Sequence, residues 1–318
     1  MSASLQSWVE AVRAGDARAL SRAISLVEDH APVAHDLLKS LFPHSGKARV
    51  IGLTGSPGAG KSTLVDQLAR HYRQAHKTVG IVAVDPTSPY TGGAILGDRI
   101  RMQSHHADPG IYIRSMATRG SLGGLAYTTA DVATVIDASG RDVVLIETVG
   151  VGQDEVDIVR LAEITVVILV PGMGDDVQTI KAGIMEIADV FVINKSDREG
   201  AERVEREILA MQTLATRPDG WTPPIVKTVA TEGTGVEDLA AAITKYEGHL
   251  AKGNLLLEKA AHNWEIRLVG MLRDALLERT MNTRLGEGDL ARYSSEVAGH
   301  KRDPYSLVEE IVNSVVKD

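Results

Sequence analysis

The sequence predicts an α/β protein in which helices cover a mainly parallel central sheet. From residue 47, short apolar runs alternate with segments of helical spacing, the pattern of a sheet whose strands are buried on both faces. Several runs end directly in polar or glycine-rich loops. One such loop, residues 55–62, fits every fixed position of the phosphate-binding template G-x-x-x-x-G-K-[ST]. Because ligands of such sheets bind beyond the carboxyl ends of the strands, we expect these loops to share one face.

Seven apolar runs are the predicted strands of this sheet. They cover residues 49–54, 79–84, 111–116, 143–147, 165–170, 190–194 and 225–229. We assign them to a nucleotide-binding domain of the P-loop NTPase class that spans residues 47–250.

Helical segments are predicted on both sides of this domain. Residues 1–46 carry apolar positions at helical spacing, consistent with two or three short helices. These helices either pack on the main domain, which we favour, or form a docking surface. Residues 251–318 read as a helix over 255–281, a polar turn over 282–289 and a last helix over 305–316. Their apolar stripes must be buried, either by folding back on the same subunit or, as we favour, in a dimer.

Composition excludes several classes of function. The chain has no cysteine, which rules out disulfides, thiolate metal sites and cysteine nucleophiles. The formal net charge is -8 and there is no run of Lys or Arg, so we expect neither nucleic acid nor an anionic membrane as a partner. The N-terminus lacks the features of a secretory signal, and no run approaches the roughly 18 apolar residues of a membrane span. We therefore expect a cytoplasmic protein.

The phosphate-binding template predicts the contacts of a nucleotide. An apolar strand precedes the loop and a segment of helical spacing follows it, which is the context that the template requires. Glycines let backbone N–H groups turn toward phosphate oxygens, and the helix adds its positive N-terminal end. Lys61 would neutralise the β and γ phosphates, and the Ser62 hydroxyl would ligate Mg²⁺. The predicted nucleotide contacts are Gly55, Ser56, Pro57, Gly58, Ala59, Gly60, Lys61, Ser62 and Thr63.

A second motif predicts that the base is guanine. Asn194, Lys195 and Asp197 give the form N-K-x-D at the end of a predicted strand. A carboxylate here can accept hydrogen bonds from the N1–H and the amine of guanine, whereas adenine would leave it unpaired at a cost of about 1–3 kcal/mol or more. The turn after the last strand, with Ala230, Thr231 and Glu232, either supplies an N–H to the guanine oxygen or is a simple strand-to-helix loop.

Three acids and two further segments complete the candidate site. Asp85 and Asp98 are candidates to hold Mg²⁺ directly or through water. We favour this role over the alternatives, which are a helix or turn cap for Asp85 and a surface charge for Asp98. Glu147 would bind a Mg²⁺-bound water and the Gly150 N–H would sense the γ phosphate. Val151 follows Gly150, so the water-positioning glutamine of Ras-like enzymes is missing there, and we expect slow hydrolysis. The remaining catalytic candidates are Gln153, Gln178 and Lys181; the last two belong to a polar loop over 171–181 in which Asp175 or Asp176 can also cap a helix.

Taken together, the phosphate loop and the segments 147–153, 172–178 and 194–197 closely resemble those of the MeaB/ArgK GTPases. These SIMIBI-class P-loop proteins accompany adenosylcobalamin-dependent methylmalonyl-CoA mutase, and the likeness covers nearly the whole chain. The resemblance implies a homodimer joined through the C-terminal helices, GTP or GDP with Mg²⁺ as ligands, and a switch at residues 172–181 that senses the mutase. It also implies that Lys61, Ser62, Asp85, Asp98 and Glu147 handle phosphates and metal. In this family the GTPase gates cofactor delivery to the mutase and protects it from inactivation.

Two other functions stay open at this point. A kinase of an amino-acid transport binding protein, an older meaning attached to ArgK, needs a base beside an acceptor hydroxyl, and the sequence names none. A metallochaperone GTPase depends on cysteine or histidine clusters, whereas His105–His106 is the only adjacent histidine pair.

Overall fold

The computed structural model describes residues 3–85, 108–117, 124–148, 162–172, 187–213, 217–286 and 288–316. The chain divides into two compact units, Met1–Ala260 and Ala261–Asp318, and each is considered by itself. The predicted segment boundaries after residues 46 and 250 stay predictions.

The strands of the first unit form one parallel sheet. They are β1 (Arg49–Gly55), β2 (Val79–Asp85), β3 (Ile111–Ala117), β4 (Val143–Glu147), β5 (Ile164–Leu169), β6 (Val190–Asn194) and β7 (Ile225–Thr228). Within the described residues the order across the sheet is β3-β2-β4-β1-β5-β6-β7, and every neighbouring pair is parallel. All seven predicted strands are confirmed, with ends that agree to within one residue.

Helices precede, connect and follow these strands. They are α1 (Ala3–Arg13), α2 (Ala17–Glu28), α3 (Pro32–Leu41), α4 (Lys61–Gln74), α5 (Gly124–Ala138), α6 (Ala201–Gln212), α7 (Val236–Leu250), α8 (Leu255–Arg284), α9 (Asp289–Ala298) and α10 (Pro304–Val316).

Apolar cores lie on both faces of the sheet. On one face, α4 and α7 pack on the central strands, with Leu64, Leu68 and Tyr246 fully buried. A smaller core joins α6 to β5 and β6. Every residue of β4, β5 and β6 is buried, which explains why these strands are continuous apolar runs rather than alternating ones.

The N-terminal helices pack on the opposite face, as favoured from the sequence. Val12, Leu20 and Leu37 share one buried core with α5 and with side chains of β2 and β4. The segment that leads into β1 is held by the buried side chain of Asp137, which accepts hydrogen bonds from the amides of Gly46, Lys47 and Ala48. Packing on the sheet therefore accounts for the apolar stripes of these helices, and the alternative of a docking surface is not needed to explain them.

The C-terminal unit differs from its prediction in two places, the first being the helix α9, to which no prediction corresponds. The polar turn predicted over 282–289 is shorter, because α8 continues to Arg284 and α9 begins at Asp289. Thr283 fits into the last turn of α8 by donating its hydroxyl to the carbonyl of Arg279, 2.7 Å away. Many large apolar side chains of this unit are exposed, among them Leu268, Val269, Leu272 and Leu277.

Among the described helices, none has the length and apolar content needed to cross a membrane.

Candidate nucleotide site

The phosphate loop begins at the centre of the sheet. β1 lies between β4 and β5, and its last residue, Gly55, is in register with Ile168 of β5. On the other side Leu53 is in register with Glu147, the last residue of β4. The carboxyl end of β4 is fastened to that of β1 because the amide of Thr148 donates to the carbonyl of Leu53, 3.2 Å away. The loop and the acid at residue 147 are therefore neighbours on one edge of the sheet.

Two glycines of the loop have no room for a side chain. Gly55 has φ 152°, and a Cβ there would lie 2.3 Å from the carbonyl oxygen of Ile168. Gly60 has φ 90°, and a Cβ there would lie 2.4 Å from Nδ2 of Asn194. Close contact with two neighbouring strands thus requires glycine at both positions.

Lys61 is the first residue of α4 and is buried. Its Nζ donates to the carbonyl oxygens of Gly55, at 2.6 Å, and Ser56, at 3.1 Å. The ammonium group therefore lies against the loop that would bind the phosphate oxygens. The amide of Leu64 donates to the carbonyl of Gly60 at the start of α4. The amides of Lys61, Ser62 and Thr63 come before this bond, so the N-terminal end of the helix faces the same loop.

Ser62 and Glu147 form a buried pair of oxygen groups beside this loop. The Ser62 hydroxyl donates to Oε1 of Glu147 across 2.6 Å, and both residues are less than a tenth exposed. A hydroxyl and a carboxylate are ligands that Mg²⁺ prefers, so this pair fits the predicted metal site.

The guanine motif is bonded directly to the phosphate loop. Asn194, the last residue of β6, donates from Nδ2 to the carbonyl of Ala59, 2.7 Å away. Lys195 donates from Nζ to the carbonyl of Gly58, also 2.7 Å away, and its backbone has φ 56°. Asp197 is exposed two residues further on. The two motifs, separated by more than a hundred residues in the sequence, are therefore one connected structure.

The turn after β7 lies against the same asparagine. Its shape is set by the antiparallel bridge from Val229 to Thr234 and by Gly235, which has φ 77° and no room for a Cβ beside the carbonyl of Lys227. The amide of Ala230 donates to Oδ1 of Asn194 across 3.1 Å. Thr231 and Glu232 are exposed. That this turn also serves the guanine oxygen stays a prediction.

Other predicted site residues lie outside the described part of the chain. These are Asp98, Gly150, Gln153, Gln178 and Lys181. β2 ends at Asp85, two strands from β1 in the sheet order, and the side chain of this residue also lies outside the described part.

Sequence reasoning missed two threonines that hold the site together. The hydroxyl of Thr228, the last residue of β7, donates to Oδ1 of Asn194 across 3.0 Å. The hydroxyl of Thr148 lies 3.2 Å from that of Thr54. No motif template marks these positions, and the only signal in the sequence is a hydroxyl residue at the end of a predicted strand.

Comparison with known proteins agrees with this geometry. A family model described as methylmalonyl Co-A mutase-associated GTPase MeaB matches residues 20–284. A Pyrococcus abyssi protein named as a candidate GTPase is 46% identical over 315 residues, which cover 98% of this chain and 97% of that protein. The GTPase ArgK of Escherichia coli is 34% identical over 300 residues, covering 92% and 89% of the two chains.

Two further similarities are more limited in extent or identity. The mouse methylmalonic aciduria type A homolog, a mitochondrial protein, is 34% identical over 72% of this chain and 56% of its own length. A crystal structure titled LAO/AO transport system kinase has a TM-score of 0.75 and 24% identity over 99% of this chain and 98% of that one, a likeness that shows the fold. With a phosphate loop bonded to a guanine motif, and with the family model matching most of its length, the chain belongs to the MeaB family of GTPases and is a GTP hydrolase.

Proposed function

We propose that this GTPase is a chaperone of an adenosylcobalamin-dependent acyl-CoA mutase, either methylmalonyl-CoA mutase or a related enzyme. Its role would be to gate delivery of the cofactor and to protect the mutase from inactivation. The observation that carries this proposal is the match of residues 20–284 to a family described as mutase-associated. A mouse relative named for methylmalonic aciduria supports the same choice of partner.

The described residues have distinct tasks in GTP hydrolysis under this proposal. Lys61 places a positive charge at the β and γ phosphates, and the N-terminal end of α4 adds the helix dipole. Ser62 and Glu147 would hold Mg²⁺, with Asp85 and Asp98 as further candidates; the ion would neutralise charge on the terminal phosphates. Asn194 and Lys195 hold the guanine-reading loop against the phosphate loop, and the Asp197 carboxylate would accept hydrogen bonds from the guanine base.

Residues 172–181 are proposed as the segment that senses the mutase. Its first residue, Gly172, has φ 92° and comes directly after Pro171. Pro171 follows β5, so the segment begins on the same edge of the sheet as the phosphate loop. Gln153, Gln178 and Lys181 stay candidates for positioning the attacking water.

A homodimer through the C-terminal helices is part of the same proposal. Exposed apolar side chains such as Leu268, Val269 and Leu272 supply a surface of the required chemistry. We also propose a cytoplasmic location, which the absence of cysteine fits.

The test is GTP hydrolysis, followed as phosphate release, with and without a purified candidate mutase. We expect slow turnover by the GTPase alone, severalfold faster turnover with the mutase, and co-elution of the two proteins in gel filtration. The Lys61→Ala variant is the matched control, because it should abolish both rates and so identify any contaminating hydrolase. An unchanged rate together with separate elution would exclude the chaperone role.

The same preparation distinguishes the kinase alternative. Incubation with GTP labelled on the γ phosphate should release the label as free phosphate. Label that stays on a transport binding protein would instead support a kinase.

A further inference from the structure

Asn194 is held by hydrogen bonds on both ends of its side-chain amide. Nδ2 donates to the carbonyl of Ala59, while Oδ1 accepts from the hydroxyl of Thr228 and from the amide of Ala230. A carbonyl oxygen has two lone pairs, so both are used. Rotating the amide by half a turn would place its NH₂ group against two donors. The orientation of Asn194 is therefore fixed by the groups that face Oδ1.

Thr228 contacts both ends of the short segment 194–196. Its hydroxyl donates to Oδ1 of Asn194, and its carbonyl oxygen accepts from the amide and the hydroxyl of Ser196, each 3.1 Å away. The residue is fully buried at the end of β7. A buried hydroxyl in this place does more than fill space, because it supplies one of the two donors that fix Asn194.

The position of Asn194 also determines where the phosphate loop lies. Its amide nitrogen would be 2.4 Å from a Cβ at Gly60, and it is hydrogen-bonded to the preceding residue, Ala59. A rotation or shift of Asn194 would therefore move the loop residues that come directly before Lys61. Thr228 acts on those residues through one intervening side chain.

We propose that Thr228 is a positioning residue for nucleotide binding. Through Asn194 and Ser196 it sets the spacing between the loop that binds phosphate and the loop that reads guanine. Thr228 does not itself contact the nucleotide under this proposal. Loss of the Thr228 hydroxyl should therefore weaken the affinity for GDP and raise KM for GTP. We expect kcat to change little, because Lys61, Ser62 and Glu147, which act on the phosphates and the metal, are all still present.

The alternative is that Thr228 only fills the core. The two roles make opposite demands on the side chain, which allows a reciprocal test. Thr228→Val keeps the shape and removes the hydroxyl, whereas Thr228→Ser keeps the hydroxyl and removes a methyl group. A core filler tolerates Val better than Ser, and a positioning residue tolerates Ser better than Val.

A buried threonine on the other side of the sheet offers a matched control. Thr129 is fully buried on α5, where its hydroxyl lies 3.9 Å from the sulfur of Met116, a weak acceptor. Met116 belongs to β3, at the edge of the sheet opposite to β7. Thr129→Val therefore makes the same chemical change far from the nucleotide site.

The experiment is calorimetric titration of GDP, with Mg²⁺ present, into the full chain and its Thr228→Val, Thr228→Ser and Thr129→Val variants. We expect the Kd of Thr228→Val to rise about tenfold, which is about 1.4 kcal/mol and in the range for one lost hydrogen bond to a buried acceptor. Thr228→Ser and Thr129→Val should stay within about twofold of the natural chain. Steady-state hydrolysis should show the same rise in KM for GTP with kcat within about twofold.

Two results would overturn the proposal: Thr228→Val binding GDP as the natural chain does, or Thr228→Ser binding as weakly as Thr228→Val. If Thr228→Val does not fold by circular dichroism, Thr228→Ala takes its place, since it also removes the hydroxyl. Natural affinity in a folded Thr228→Ala variant would equally refute the proposal. The mutase is not needed for any of these measurements, so their outcome is independent of the chaperone role.

Discussion

Nδ2 of Asn194 donates to the carbonyl oxygen of Ala59 across 2.7 Å, although the two residues are 135 positions apart in the chain. This bond joins the end of β6 to the phosphate loop that follows β1. The base-reading and phosphate-binding parts of the site are therefore not independent, and a substitution in one part should change the position of residues in the other.

Asn194→Ala should weaken binding of GDP by about 10- to 100-fold. The change removes the donor to the carbonyl of Ala59 and the acceptor for the Thr228 hydroxyl and the Ala230 amide, at a cost of about 1–3 kcal/mol for a buried group. Calorimetry measures the affinity. Asn254→Ala, at an exposed position before α8, is the control and should bind as the natural chain does. Unchanged affinity in Asn194→Ala would show that the two loops are placed independently.

Gly60→Ala should abolish measurable GTP hydrolysis and lower the free energy of unfolding by about 2–4 kcal/mol. The alanine must adopt φ near 90°, and its Cβ would meet the amide of Asn194 at 2.4 Å. Gly253 has φ 69° and open space where a Cβ would lie, so Gly253→Ala isolates the backbone cost of about 1 kcal/mol. Urea unfolding measures the free energy of unfolding of both variants. Equal losses in the two would mean that the contact with Asn194 does not contribute to the cost of Gly60→Ala.

Asp189 directly precedes β6, at the end of that strand away from the nucleotide site, and should be a determinant of stability. Its fully buried carboxylate accepts from Nζ of Lys259 at 2.7 Å and from Arg217 at 3.0 Å. Lys259→Met should cost about 1–2 kcal/mol because Arg217 remains, whereas Asp189→Ala should cost about 3–5 kcal/mol by leaving two cations without their shared partner. Lys252→Met, at an exposed position, should stay within about 0.5 kcal/mol. Urea unfolding would contradict this expectation if Asp189→Ala were as stable as the natural chain.

Glu163→Gln should stabilise the protein at neutral pH. Burial raises the pKa of the Glu163 carboxyl above its ordinary value, while a hydrogen bond with the Val50 backbone and, to a smaller extent, the charge of Arg49 oppose the shift. The folded state therefore binds a proton more tightly than the unfolded state, and stability declines as pH rises from the unfolded pKa, about 4.3, to the raised folded pKa. Above that window the cost of the buried charge is constant.

The matched measurement is urea unfolding of Glu163→Gln at pH 4 and at pH 7.5. The free energy of unfolding of Glu163→Gln should exceed that of the natural chain at pH 7.5, and the difference should be smaller at pH 4. Glu199→Gln, at an exposed position, should show no such difference. A gain that is equal at both pH values would mean that the burial of charge is not its cause.

Local patterns in the sequence predicted the strands and both nucleotide motifs because each depends on residues close together in the chain. Residues 190–193 are a continuous apolar run because both faces of β6 are covered, and this run identified the strand that ends at Asn194. The contacts of Asn194 with Ala59 and Thr228 could not be predicted in this way, since they depend on which strands are neighbours. The helix over 289–298 was also missed: its first residue was assigned to the turn over 282–289, and no prediction was made for the rest.

The assignment of a guanine nucleotide to this site is tested without any partner protein by comparing GDP with ADP in calorimetric titrations, in the presence of Mg²⁺. We predict that GDP binds at least about 100-fold more tightly than ADP, because the adenine edge leaves the Asp197 carboxylate unpaired. We also predict that Lys61→Ala loses most of the affinity for GDP. Equal binding of the two nucleotides, or full GDP affinity without Lys61, would contradict the assignment of a guanine nucleotide to this edge of the sheet.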